Sequence, residues 1–144
     1  MFSASITRHP GRPKGTLSTV AAVASKAVAE RFLRALEARD FERTASCFAA
    51  NSRLRALVPT ALREDKGGAA VAERFRLWVG ELTDFAVTET AVDEFVDRTR
   101  VRYRMGGIDP EDGAVICEQH AYLTLEGDSI AAMNLVCSGF RRVA

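Results

Sequence analysis

Apolar residues recur every three or four positions in three stretches of the chain, a spacing typical of helices with one buried face. The first stretch predicts a helix from Thr19 to Arg39, with Ser18 as its N-cap. The second predicts a short helix, Phe41 to Ala49, capped by Asp40, because a carboxylate accepts the free N–H groups of a first turn. The third predicts a helix from Ala69 to Leu82.

Beyond Thr83 the apolar residues recur at every second position, which is typical of strands with one buried face. The predicted strands are, in chain order, residues 53–58, 85–91, 98–105, 115–125 and 130–141. Residues 60–68 are predicted as a linker and residues 106–113 as a turn. Helices followed by strands predict an α+β fold with an antiparallel meander.

The length of 144 residues predicts one domain, and its composition is 47% hydrophobic and 27% charged, as in ordinary globular proteins. Residues 1–16 carry three basic side chains and no acidic one, and the rest of the chain has 17 basic and 19 acidic residues. We therefore expect residues 1–16 to form a disordered basic tail before a single domain, residues 17–144. The Ser- and Arg-rich tail also resembles a transit peptide, but a disordered tail is the preferred interpretation.

The charge of the main part of the chain gives no reason to expect a nucleic-acid partner. No apolar run approaches the roughly 18 residues of a membrane span, so no membrane partner is expected. The three cysteines, Cys47, Cys117 and Cys137, lie in apolar stretches without metal-ligand spacing. Their odd number, without a secretory signal, predicts reduced, buried thiols in a cytoplasmic protein. Without metal-ligand spacing no metal is expected, and no cofactor is expected either.

Several short segments together resemble the nuclear transport factor 2-like superfamily, which includes SnoaL-like polyketide cyclases and ketosteroid isomerases. The segments that carry the resemblance are Phe32–Phe41, Cys47–Ala49, Val58–Pro59, the Phe- and Trp-bearing third helix after a Gly, and Leu125–Ile130. The resemblance covers residues 20–142. It implies that three N-terminal helices pack in a strongly curved mixed or antiparallel sheet. The bent sheet wraps the long helix into a cone, and the mouth of the cone holds a ligand.

The resemblance also implies three catalytic positions, and two of them are apolar in this chain. Val58 stands where ketosteroid isomerases have a general-base Asp, and Phe32 stands where they have an oxyanion-stabilising Tyr. Neither side chain can accept or donate a proton. The third position, an acid on the penultimate strand, falls at Ala121 in one register and at His120 in the other.

Alternation along that strand favours the register with Ala121 in the interior. The more apolar face then consists of Cys117, Gln119, Ala121, Leu123 and Leu125. His120 would face outward together with Glu118 and Tyr122.

No catalytic residue is assigned, and Tyr103 and His120 are the acid–base candidates. The residues expected to shape an apolar ligand pocket are Phe32, Val58, Trp78, Val101, Tyr103, Gln119, Met133, Leu135 and Cys137. Core packing explains most of these side chains equally well. A buried Tyr103 would need a hydrogen-bond partner, either a ligand carbonyl or another protein group.

Arginines alternate along the fourth predicted strand segment, at positions 98, 100, 102 and 104. This arginine row favours a solvated or subunit-facing sheet surface over a phosphate site. We expect the arginines to pair across strands with Glu89, Glu118 or Glu126. A homodimer through the outer face of the sheet, the face that carries the arginine row, is the expected assembly.

Two functions remain open at the level of sequence. One is a binder of a small hydrophobic molecule, with proton-transfer chemistry of the cyclase or isomerase type if it is an enzyme. The other is a non-catalytic dimerisation or accessory module of the same fold.

Overall fold

The computed structural model describes residues 16–143. Its helices are α1 (Thr16–Ala38), α2 (Phe41–Ser46) and α3 (Gly68–Val79). Its strands are β1 (Phe48–Val58), β2 (Ala61–Lys66), β3 (Thr83–Phe95), β4 (Arg98–Asp109), β5 (Gly113–Glu126), β6 (Ser129–Cys137) and β7 (Arg141–Arg142). The predicted tail lies outside the described residues, apart from Thr16.

The long first helix begins earlier than its sequence pattern indicates. It starts at Thr16, so Ser18 lies inside α1 and the prediction that it caps the helix is wrong. The helix ends at Ala38, and the next residue, Arg39, has a positive φ of 51° that turns the chain.

Asp40 caps α2 as predicted, because its Oδ1 accepts the backbone N–H of Arg43 at 3.1 Å. The predicted end of this helix at Ala49 is wrong. The helix stops at Ser46, because Phe48 already belongs to β1 and the N–H of Ile130 donates to the carbonyl of Cys47 at 2.9 Å.

The seven strands form one mixed sheet in the order β2-β1-β6-β5-β4-β3, with β7 paired to β5. The pairs are antiparallel except β1 and β6, which are parallel. Three helices packed on a curved mixed sheet confirm the predicted α+β class. The third helix follows two strands, β1 and β2, of which the sequence predicted only the first.

The predicted linker is wrong, because residues 61–66 form an edge strand. Thr60 has a positive φ of 70° and lets the chain turn back, so that Ala61 pairs with Val58 and Lys66 with Arg53. All six side chains of β2 are exposed or half-buried, so no alternating apolar pattern marked this strand in the sequence.

The ring of Phe32 lies at the centre of the core between α1 and the sheet. It makes aromatic contacts with Phe48, Phe75 and Tyr103, at centroid distances of 6.1, 5.6 and 6.2 Å. These rings come from β1, α3 and β4, so Phe32 joins the long helix to three other elements. We call the sheet face that carries Tyr103 the inner face and the opposite one the outer face.

Candidate functional site

A buried hydrogen bond joins Tyr103 and Gln119 on the inner face. The two residues lie directly opposite each other on β4 and β5, and they are 2% and 0% exposed. The Tyr103 hydroxyl donates to Gln119 Oε1 at 2.6 Å. Burial raises the pKa of Tyr103 well above its usual value, so its hydroxyl stays protonated and acts as a neutral donor near pH 7.

Two cysteines, Cys117 and Cys137, lie next to the Tyr103–Gln119 pair, near the end of β6. Gln119 Nε2 donates to Cys137 Sγ at 3.3 Å, and the backbone N–H of Gly139 donates to the same sulfur at 3.4 Å. Cys117 Sγ lies 3.4 Å from Cys137 Sγ. We call Tyr103, Gln119, Cys117 and Cys137 the inner polar cluster.

The surroundings of the two thiols shift their pKa values in opposite directions. The hydrogen bond from Cys117 lowers the pKa of Cys137, and the bonds from Gln119 and Gly139 act in the same direction. The same contact with Cys137 raises the pKa of Cys117, and burial raises it further. Cys137 is therefore the sulfur that carries negative charge more readily.

All nine residues predicted to shape the pocket lie in the core or pack against it. Six are buried: Phe32, Val101, Tyr103, Gln119, Met133 and Leu135. The other three, Val58, Trp78 and Cys137, are half-buried. The structure thus brings the predicted residues together, although their role in binding stays a prediction.

The two acid–base candidates lie on opposite faces of the sheet. Ala121 is fully buried, whereas His120 is exposed between Arg102 and Val136 of the neighbouring strands. The inner register predicted for Ala121 is therefore confirmed. His120 and the buried Tyr103 are not brought together.

The arginine row lies beside acidic residues, but only one predicted partner is correct. Arg104 pairs with Glu118 at 2.6 Å as expected. Arg100 instead makes a two-bond contact with Asp93, at 2.8 and 2.7 Å, because these residues are opposite each other on β3 and β4. Glu89 has a φ of 51° at a register shift in β3, which removes it from the regular cross-strand pattern.

Three exposed aliphatic side chains adjoin each other on the outer face. Leu57 of β1 is in register with Leu62 of β2 on one side and with Val136 of β6 on the other. They are 54%, 48% and 54% exposed, in the order named. We call Leu57, Leu62 and Val136 the aliphatic row.

Sequence reasoning treated the cysteines as separate buried thiols and missed the contact between Cys117 and Cys137. The alternation of Cys117 and Gln119 along their strand predicted that Cys117 lies on the inner face. It did not predict which residue of β6 lies beside Cys117. A register shift between Thr124 and Leu125 changes the pairing by one residue, so counting from the hairpin turn alone gives the wrong partners.

The curved mixed sheet around a long helix defines a nuclear transport factor 2-like fold, and comparison with known families agrees. A family model described as SnoaL-like domain matches residues 29–133, well over half of the chain. The chain therefore belongs to the SnoaL-like domain family. Comparison with curated proteins gave no match.

Similar solved structures share the fold at low sequence identity. A putative polyketide cyclase from Xanthomonas campestris pv. campestris is 13% identical, with a TM-score of 0.66 over 80% of this chain and 90% of that one. A putative ketosteroid isomerase from Kribbella flavida is 14% identical, with a TM-score of 0.64 over 85% and 84%. An LEH-like epoxide hydrolase from M. tuberculosis is 14% identical, with a TM-score of 0.65 over 82% and 85%. At such identities the likeness shows the fold alone.

Among the described residues, no helix combines the length and apolar character needed to cross a membrane.

Proposed function

We propose that this protein binds a small hydrophobic molecule carrying a carbonyl group, between α1 and the inner face of the sheet. The observation that carries the proposal is the Tyr103–Gln119 pair. Its hydroxyl and amide are buried within a face that is otherwise largely apolar, and a few polar groups in an apolar site are what orient ligands in proteins.

The proposed contact is an exchange of hydrogen bonds. The Tyr103 hydroxyl, which donates to Gln119 Oε1, would donate instead to the ligand carbonyl, and the Gln119 amide would turn so that its N–H donates to the Tyr103 oxygen. Binding then adds one hydrogen bond and leaves the Tyr103–Gln119 contact in place. The half-buried Val58, Trp78 and Cys137 would line the entry, since they pack against the core and retain some exposure. The names of two similar structures, a putative polyketide cyclase and a putative ketosteroid isomerase, support a hydrophobic carbonyl compound as the ligand class.

Binding is favoured over isomerase-type proton transfer by the residues at the matched positions. Phe32 and Val58 have no exchangeable side-chain proton, and His120 lies on the outer face. Tyr103 holds its proton near pH 7, because burial raises its pKa. The proposal therefore assigns Tyr103 as a hydrogen-bond donor to the ligand and assigns no general base.

Calorimetric titration with 2-acetylnaphthalene tests this proposal, with 2-ethylnaphthalene as the matched ligand that lacks the carbonyl. The ketone should bind more tightly to the wild-type protein. Tyr103→Phe should weaken ketone binding by about 2- to 10-fold, the equivalent of one net hydrogen bond, and leave hydrocarbon binding unchanged. Tyr122→Phe is the control, because Tyr122 faces outward. Equal binding of the two ligands, or of the ketone by wild type and Tyr103→Phe, would refute the assigned contact.

A second candidate function, a dimerisation or accessory module, is favoured by the aliphatic row. Exposed leucine and valine side chains in adjacent strands are typical of a surface that a partner covers. We propose a second copy of the chain as that partner, through the outer face.

We also infer a cytoplasmic location, because an odd number of cysteines is more typical of a reducing compartment.

A further inference from the structure

The inner polar cluster contains two thiols at contact distance that the proposed ligand binding does not use together. Cys117 and Cys137 lie on the inner sides of neighbouring strands, with their sulfurs 3.4 Å apart. A disulfide bond is about 2.05 Å long, so the sulfurs need to approach by less than about 1.5 Å.

The hydrogen bonds around the pair distinguish the two sulfurs. Cys137 Sγ accepts from Gln119 Nε2 and from the backbone N–H of Gly139. Cys117 Sγ makes a long contact, 3.8 Å, to the carbonyl of Glu118 besides its contact with Cys137. Ser138 and Gly139 also lower the pKa of Cys117, but the contact with Cys137 and burial raise it by more. The Gln119 amide is oriented by Tyr103: its oxygen accepts from the Tyr103 hydroxyl, so its nitrogen faces Cys137.

Donors that converge on one sulfur favour its thiolate, which is the reactive form of cysteine. The lowered pKa of Cys137 and the raised pKa of Cys117 agree with this geometry. Cys137 is also half-buried, whereas Cys117 is buried, so Cys137 is the more accessible of the two.

We propose that Cys117 and Cys137 form a redox-active pair, in which a hydroperoxide oxidises Cys137 and Cys117 then closes an intrachain disulfide. In the first step the Cys137 thiolate attacks the terminal peroxide oxygen. The O–O bond breaks, an alkoxide or hydroxide leaves and takes up the proton that Cys137 lost on ionising, and Cys137 becomes a sulfenic acid.

In the second step the Cys117 sulfur attacks the Cys137 sulfur. The S–O bond breaks, the S–S bond forms, and the hydroxyl leaves as water with the proton of Cys117. The two electrons lost by the cysteines have reduced the peroxide O–O bond. Two equivalents of a small thiol restore both cysteines by exchange.

The third cysteine supplies an internal comparison. Cys47 is buried at the end of α2, where its thiol donates to the carbonyl of Arg43 at 3.4 Å. Burial raises the pKa of Cys47, and we expect it to react more slowly than Cys137.

Peptide mapping of the full-length reduced protein tests the proposal. The protein is treated with one equivalent of hydrogen peroxide, alkylated, and digested after glutamates, since cleavage after Glu118 and Glu126 separates Cys117 from Cys137. We expect a linked pair of peptides, two hydrogens lighter than the separate peptides, that dithiothreitol separates. Cys47→Ser should give the same link.

The other single variants identify the order of the steps. Cys117→Ser should stop at the sulfenic acid of Cys137, which dimedone traps as one adduct. Cys137→Ser should leave Cys117 reduced. Circular dichroism checks that each variant is folded, and the wild-type peptide map remains decisive if one is not.

Three results would overturn the proposal: no linked peptide from the folded protein, a link only between two chains, or oxidation of Cys47 as fast as that of Cys137. No hydrophobic ligand is present in this experiment. Its outcome is therefore independent of the proposed binding function.

Discussion

At the scale of single residues, the buried bond between Tyr103 and Gln119 stabilises the fold only while both partners are present. On burial, the Tyr103 hydroxyl and the Gln119 amide oxygen lost their hydrogen bonds to water. The hydrogen bond that they form with each other replaces part of that loss. Removing one partner therefore costs more than the net value of the bond, because the remaining polar atom stays buried without a partner.

Tyr103→Phe should consequently lower the free energy of unfolding by about 1–3 kcal/mol, the cost of a buried unsatisfied acceptor at Gln119. Urea unfolding monitored by circular dichroism measures the change. Tyr122→Phe removes a hydroxyl from the outer face and should change stability by less than about 0.5 kcal/mol. Equal losses in the two variants would mean that the Gln119 oxygen finds another partner.

The sequence predicted the inward position of Tyr103 and its need for a partner, but not that Gln119 is that partner. Alternation assigns a residue to a face, whereas pairing across strands also depends on every bulge between them. The β4–β5 pairs are regular, but the predicted turn, residues 106–113, is too long: β4 runs to Asp109 and β5 starts at Gly113, so counting from the predicted turn does not lead from Tyr103 to Gln119. The shift between Thr124 and Leu125 affects the β5–β6 pairs. The contact of Cys117 with Cys137 was hidden for the same reason, since no local spacing reveals it.

At the scale of elements, the strand that ends at Cys137 is redirected by Gly139. Its φ of +78° is in the left-handed region, and a Cβ built on it would lie 2.7 Å from Cγ of Pro59. This glycine separates β6 from β7, which the sequence pattern had predicted as one strand to residue 141. It also donates to Cys137 Sγ, so the turn and the inner polar cluster depend on the same backbone.

Gly139→Ala should destabilise the protein by more than Gly127→Ala, and their difference isolates the contact with Pro59. Both glycines have positive φ values, +78° and +64°, so both substitutions carry backbone strain of about 1–2 kcal/mol. Of the two, only Gly139 would bring a Cβ into contact with Pro59. A Cβ at Gly127 would have nothing within 4 Å. We expect a further loss of about 1–3 kcal/mol for overpacking at residue 139, measured by urea unfolding. Equal losses would show that the loop containing Pro59 yields freely.

The elements that sequence predicted well have one face in the core. The third helix, β4 and β5 have regular apolar faces, with buried residues such as Phe75, Val101 and Leu123. The edge strand β2 has no such face, so only its pairing with β1 identifies it as a strand. The parallel pairing of β1 with β6 is likewise invisible to local patterns, because it joins residues about 80 positions apart.

At the scale of the whole molecule, the outer face of the sheet divides into two parts. The β4 side carries arginines paired with acids such as Asp93 and Glu118, and exposed ion pairs of this kind stabilise the fold little. The β1 side carries the aliphatic row, with one exposed ion pair, Arg55–Glu64, beside it. A second copy that covered the aliphatic row would bury apolar area now open to water, at roughly 25 cal/mol per Å².

The proposed dimer therefore depends on the aliphatic row more than on the arginines. Light scattering at micromolar concentration should give the mass of a dimer for the wild-type protein. Val136→Lys places a charge at the β6 end of the row and should raise the dissociation constant by about tenfold or more, since an unpaired charge resists burial. Val96→Lys is the matched control, because Val96 is an exposed valine at the β3–β4 turn, outside the row. A monomeric wild type would refute the dimer, and equal dissociation constants for the two variants would place its interface elsewhere.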